Sequence, residues 1–282
     1  MNLFSIIEIG ISLLFILSLI HSIKSKKFPV ILLSFIYAII FENLNMLFSE
    51  GHTGGYFYNE SFHFFIFNTP LFIIMSWSII IYTAMLLTDL LPIKESSKPF
   101  IDSLLIVLID LAIDVIAIRL FLWTWTNYSF NEAWFGVPAN NFIGWLLTSF
   151  SFSLFYRNFS KIKNKYLIYL TPIASYLLFF IIMIPLVYIE DLLNLSKNQQ
   201  LLVFLFLIII FISRIKYQKI KTKANKFTLY LIDVVRYSYY IFALLGLILL
   251  KVYLENIIII FLGILFIFLE ISIISFVHKS KA

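Results

Sequence analysis

The chain is a succession of long apolar runs separated by short polar gaps. A helix needs about 20 predominantly apolar residues to cross a bilayer. Runs of that kind predict helices over 3–23, 30–48, 64–91, 102–126, 141–159, 166–189, 200–213, 228–250 and 257–277. The seventh run is short. The third and fourth are long enough to tilt or to enclose interfacial turns. The gaps between runs are too short for a soluble domain, so residues 1–282 read as one integral membrane domain. The expected fold class is an all-α polytopic bundle with about nine transmembrane helices.

Composition agrees. Hydrophobic residues make up 62% of the 282 positions and charged residues 13%, against about 25% charged in an ordinary soluble domain. The 32 Phe and 16 Tyr exceed what a single soluble core of this length hides. With no cysteine, disulfides, thiolate metal sites and Cys nucleophiles are excluded.

The net charge of +6 matters less than its distribution. The first, third, fifth and seventh loops and the C-terminal tail hold Lys24, Lys26, Lys27, Lys94, Lys98, Arg157, Lys161, Lys163, Lys165, Arg214, Lys216, Lys219, Lys221, Lys223, Lys226, Lys279 and Lys281. The even loops hold only Lys197 and Lys251. Cationic loops stay cytoplasmic, so the expected topology has the N-terminus outside and the C-terminus in the cytoplasm. The basic charge that follows the first apolar run, with none before it, fits an inserted helix rather than a cleaved signal. Localisation in the cell membrane, multi-pass, is expected. The basic run 214–226 is read as a topology anchor on anionic lipid, and nucleic acid is not an expected partner.

Ionisable residues inside a bilayer are costly and mark candidate sites. They are Glu8, Glu42, Asp110, Asp114, Arg119, Asp233, Arg236 and Glu270. Asp110 and Asp114, four residues apart, share a helix face. If the fourth helix continues to 126, Trp125 falls about 20° from Asp114 and tops the same stripe, while Arg119 lies roughly 140° away. Two carboxyls so close in a low dielectric repel when both are ionised, so one is expected to keep its proton, the state a general acid needs. A hydrogen-bonded structural pair is the alternative.

Glu42 and Asn45 share a face near the outer end of the second helix. Asn68 precedes Pro70 at the start of the third, and Asn141 opens the fifth. Together with the aspartates they predict a polar pocket under the aromatic loops GHTGGYFYNESFH and NYSFNEAWFGVPA. Glu8 stands alone near the outer end of the first helix. Asp233, Arg236 and Glu270 are expected to form a self-neutralising cluster. His21, His52, His63 and His278 are too scattered for a metal site, and P-loop, GxGxxG and HExxH motifs are absent. No cofactor and no metal is expected.

The segment DLAIDVIAIRLFLWTWTNYSFNEAWFGVPANNFIGW, Asp110 to Trp145, resembles the membrane carotenoid biosynthesis proteins that include the carotenoid and bisanhydrobacterioruberin hydratases. The resemblance rests on Asp110, Asp114, Trp123, Trp125, Phe135, Gly136, Val137, Pro138, Asn141, Gly144 and Trp145. Upstream, Glu42, Gly55, Tyr56, Tyr58, Pro70, Trp77 and Tyr82 fit it. Val115 and Phe121 replace a Pro and a Gly found in many members. The resemblance implies a hydro-lyase needing no redox cofactor, which adds water to the terminal isopropylidene double bond of an acyclic carotenoid lying in the lipid. It implies Asp110, Asp114 and Glu42 as catalytic carboxyls in unassigned acid and base roles. Asn45, Tyr56, Tyr58, Trp77, Trp125, Asn141 and Trp145 are implied as substrate-binding groups. Intramembrane carboxylates also suit a proton-coupled transporter. An enzyme acting on another isoprenoid lipid and a non-catalytic member of a membrane complex also remain open.

Overall fold

The computed structural model describes residues 2–49, 55–218 and 225–279. Lys219, Lys221 and Lys223 of the basic run, Lys281 and His52 lie outside the described residues. Nine α-helices occur among the described residues: α1 (Leu3–Lys24), α2 (Phe28–Ser49), α3 (Leu71–Thr88), α4 (Lys98–Arg119), α5 (Ala139–Phe159), α6 (Thr171–Leu192), α7 (Lys197–Ser213), α8 (Lys226–Leu249) and α9 (Ile257–Lys279). Six of these, α1, α2, α3, α6, α8 and α9, are long and apolar enough to cross a membrane by length and composition. α4 and α5 are of similar length but carry the buried polar groups, and α7 spans 17 residues.

Local chemistry sets several boundaries. Asn2, Ser196 and Asn225 cap α1, α7 and α8 with side-chain oxygens that accept first-turn N–H groups, which otherwise lack partners. Ser196 and Gln199 close a reciprocal capping box. Prolines occupy the first turns of α4 and α6, where their missing N–H costs nothing.

Two predicted helices are too long. The run 64–91 is helical only from Leu71. Before it, β2 (Phe65–Ile66) and β3 (Thr69–Pro70) form a tight antiparallel hairpin, its turn held by Phe67 at φ 56°. The run 102–126 ends its helix at Arg119. Phe121 takes a left-handed φ of 53°, and β4 (Trp123–Trp125) turns away to pair antiparallel with β1 (Tyr56–Tyr58). Tyr56 faces Trp125 and Tyr58 faces Trp123. Both runs are apolar throughout, so hydropathy does not separate the helix from the aromatic strand. Aromatic residues favour a strand once a partner edge is available, and only the fold brings that edge.

Helices α2 to α6 close a ring in which each packs on the next and α6 returns to α2. α1 lies over α2 and α3, α8 over α3 and α4, and α7 over α4 and α5, while α9 packs outside α8. The core sits in the ring, and almost every residue of α3 is buried. The outward faces of α1, α6, α7 and α9 remain exposed and apolar, with Leu13, Ile181, Phe206 and Phe261 among the most exposed. Apolar faces this continuous call for lipid rather than water. The β1–β4 ribbon caps one end of the bundle. The other end carries the basic loops, where the Lys94 N–H bonds the Lys216 carbonyl at 2.9 Å.

Other intramembrane charges resolve into pairs. Arg119 meets Glu255 with two bonds of 2.9 and 2.7 Å and lies over the Phe130 ring. Arg236 pairs with Glu270 and donates to the Leu105 carbonyl at 2.9 Å. Asp233 is not in that cluster. It sits a turn away and meets His278 at 3.2 Å. Glu8 does not stand alone. It accepts from the His63 N–H and Nδ1 at 2.8 and 2.6 Å, which ties the loop before α3 to α1.

Candidate active site

At the ribbon end the ring opens into a cavity of about 820 Å³. The two segments separated by 14 to 35 positions from Glu42 in sequence both reach its carboxylate. Tyr56 and Tyr58 donate their hydroxyls to Oε2 at 2.7 and 2.8 Å, and Trp77 donates Nε1 to Oε1 at 2.5 Å. Strand β1 presents the two tyrosines, and α3 presents the indole on the face it turns to α2. No cation contacts Glu42 among the described residues. Burial, reinforced by the neighbouring Glu42, pushes the Tyr56 and Tyr58 hydroxyls well above their ordinary pKa, so both remain protonated donors.

Across the cavity, the Asn141 amide binds both aspartates. Its Nδ2 donates to Asp114 Oδ2 at 2.6 Å and to Asp110 Oδ2 at 3.1 Å. An amide nitrogen carries two hydrogens, so one side chain is enough to gather the pair. The two carboxyls are gathered on one amide nitrogen, and the Oδ1 atom of each is buried without a donor among the described residues. The helix spacing read from the sequence therefore produces a real pair, and a proton held between the two relieves both the repulsion and the missing donors. Asp114 lines the cavity, whereas Asp110 stands behind it, wholly buried.

The remaining expected residues converge here. Asn45, Trp125 and Trp145 line the same cavity as Tyr56, Tyr58, Trp77 and Asn141. Trp77 and Trp145 stack with ring centres 4.0 Å apart and planes 24° from parallel, forming an indole wall beside Glu42. Trp125 arrives by a different route from the one expected. It does not continue the Asp114 helix stripe but sits on β4, where its ring lies 4.8 Å from that of Tyr56. One expectation fails. Asn68 is exposed at the hairpin, where its N–H bonds Asn43. Tyr82 lies toward the basic end and bonds His21 at 2.7 Å.

Several lining groups carried no usable signal in the sequence. Asn140, the neighbour of Asn141, lines the cavity and donates to Glu190 at 2.9 Å. Wall residues on α1, α6 and α8, such as Gly10, Phe179 and Tyr239, belong to apolar runs in which no single position stands out. Most of the lining residues sit in the ribbon-end halves of their helices. At the inner end of the cavity Phe41 packs on Phe179 at 5.1 Å, and deeper in the ring Tyr37 packs on Phe152 at 5.5 Å.

The arrangement combines a protonatable carboxyl pair, a second carboxylate held by neutral donors and a wall of indole rings, in a cavity flanked by lipid-facing helices. It is equipped to protonate an apolar substrate, to stabilise a cation by ring faces and to take a proton back. The sequence matches, over residues 2–213, the family model described as carotenoid biosynthesis protein. No curated protein and no solved structure matches it significantly.

Proposed function

The chain belongs to the carotenoid biosynthesis protein family, and from that premise we propose that this multi-pass membrane protein hydrates a terminal isopropylidene double bond of an acyclic carotenoid. The observation that carries the reading is the opposition of Asp114 and Glu42 across one cavity with no cation at either carboxyl among the described residues.

In this reading Asp114 is the acid. Its proton goes to the less substituted carbon of the double bond and leaves a tertiary cation on the other. The π faces of Trp145, Trp77 and Trp125 stabilise that cation. Asn45 and Glu42 hold a water whose oxygen attacks the cation, and Glu42 takes the released proton. The product is the tertiary alcohol, with substrate and water balanced. Returning the proton from Glu42 to the aspartate pair resets the site. Tyr58 donates to Glu42 and stands near enough to feel the Asp114 charge, so it is placed on that return path. Asp110 acts through Asp114 as a positioning residue, and so does Asn141. Tyr56, Tyr58 and Trp77 fix the Glu42 carboxyl in place, and in this reading it serves as the base while the pair opposite supplies the proton.

The aromatic packing at the inner end of the cavity favours chemistry over transport, because a transporter needs a path to both faces. The test is pigment analysis by liquid chromatography and mass spectrometry in a host that makes acyclic carotenoids. The expected result is a product heavier by one water, absent from well-expressed Asp114→Asn and Glu42→Gln variants. A folded wild-type protein that leaves several acyclic carotenoids unchanged overturns the carotenoid reading and moves attention to other isoprenoid lipids.

A further inference from the structure

We propose that the limb of the cavity between α1 and α8 is a second recognition subsite for a neutral hydrogen-bonding oxygen, a hydroxyl or oxo group, carried by the isoprenoid substrate away from its reacting double bond. This rests on the isoprenoid reading above and deepens it.

The cavity extends past the carboxyls along α3. Ile73, Ser76 and Ile80 line it on the helix face that also carries Trp77, as spacings of three, four and seven require. The limb therefore opens directly off the reacting centre. Opposite, α8 contributes Tyr239 and Phe242, and α1 contributes Gly10. No atom lies within 4 Å of where a Cβ on Gly10 would stand, so the α1 wall is hollow and leaves width for a chain.

In this apolar limb one hydroxyl is out of place. Tyr239 is 6% exposed, and its oxygen is buried without a partner in hydrogen-bond geometry. Ser76 stands across the limb close enough to interact with that hydroxyl, without a bond of full hydrogen-bond geometry between them. The nearby Ser238 hydroxyl is already committed to the Val234 carbonyl at 2.6 Å. A phenol and a serine facing a lipid-accessible slot are costly unless something bonds them. Between them they offer two donors and their lone pairs, which matches one neutral oxygen and neither a carboxylate nor a phosphate. The α8 wall is also rigid, since Arg236 ties it to Glu270 on α9 and to Leu105 of α4. It lies beyond residues 2–213, the stretch that the family model matches, whereas Ser76 lies within it, so the subsite joins a residue inside the match to one outside.

The experiment uses the full-length protein in lipid nanodiscs. Two acyclic carotenoids of equal conjugated length, one a hydrocarbon and one hydroxylated at one end, are titrated against it while quenching of tryptophan fluorescence is read. The hydroxylated polyene is expected to bind about tenfold tighter, the scale of one well-made hydrogen bond. Tyr239→Phe and Ser76→Ala, made separately, are expected to erase that preference and leave hydrocarbon affinity unchanged, which also reports that each variant is folded. Equal affinity of wild type for the two polyenes, or a preference that survives both substitutions, overturns the subsite and leaves the carotenoid reading standing. Failure of both polyenes to quench overturns the isoprenoid reading itself, and the subsite with it.

Discussion

At the ribbon end, Glu42, Asp110 and Asp114 meet neutral donors among the described residues: two phenols, an indole and an amide. At the basic end, Asp89 and Asp102 meet cations. Lys27, Lys98 and Arg157 contact Asp89 at 3.0, 3.1 and 2.7 Å. Arg157 also holds Asp102 at 2.9 Å, and Ser153 adds a hydroxyl bond. The two regions use the same acidic residue type, with Asp102 as buried as the aspartate pair and Asp89 partly exposed, and the cavity lies at the first of them. A carboxylate neutralised by arginine has given up its freedom to exchange a proton and serves packing. One surrounded by neutral donors keeps that freedom and is expensive to maintain, which argues for a function.

The largest expected break in this comparison is Asp114→Asn. It retains shape and the amide contact but removes the proton, and product formation is expected to fall by about 10²- to 10⁴-fold, with the unfolding temperature in detergent little changed. Arg157→Met breaks the other region. It leaves Asp102 and Asp89 without their shared cation and is expected to cost roughly 3–5 kcal/mol, read as early thermal unfolding, whereas any residual folded protein is expected to keep the proposed activity. If Arg157→Met abolishes turnover without loss of stability, the division into a chemical end and a structural end fails.

The Arg236–Glu270 pair sharpens the point on a smaller scale. Glu270→Leu alone leaves a buried guanidinium and is expected to destabilise more than the double variant Arg236→Met, Glu270→Leu, because a missing partner costs more than a missing pair. Smallest is a pH effect. Burial by itself would raise the Asp89 carboxyl, but Arg157, Lys27 and Lys98 overcome it and hold Asp89 below the usual carboxylate range. A depressed folded pKa contributes stability above the unfolded value of about 4 and loses it as pH falls below that. The unfolding temperature of Asp89→Asn is therefore expected to be lower at neutral pH and to decline less steeply below about pH 4 than that of wild type.

Much of this site was legible in the sequence. Spacing alone put Asp110 and Asp114 on one face, and of the ten candidate site residues named from the sequence nine line one cavity. Three features were not legible. Trp125 was given to a helix because its run is uniformly apolar, and only the edge of β1 recruits it into a strand. Glu8 looked solitary because its partner His63 is 55 positions away. Tyr239 and Gly10 lie in largely apolar runs and are themselves compatible with lipid, so nothing in hydropathy marks them as facing a cavity.

What the chain determined by itself is what depends on neighbours in sequence: an all-α membrane bundle, its helices and the carboxylate pair. A bilayer forces every backbone group to bond within its own segment, so local hydropathy suffices. What only the tertiary structure decided is which carboxylates meet cations and which meet neutral donors. That follows from closing the ring of α2 to α6, which brings Tyr56, Trp77 and Asn141 to their acids from distant positions in the chain. The outcome depends on which side chains are left facing one another, and no local pattern encodes it.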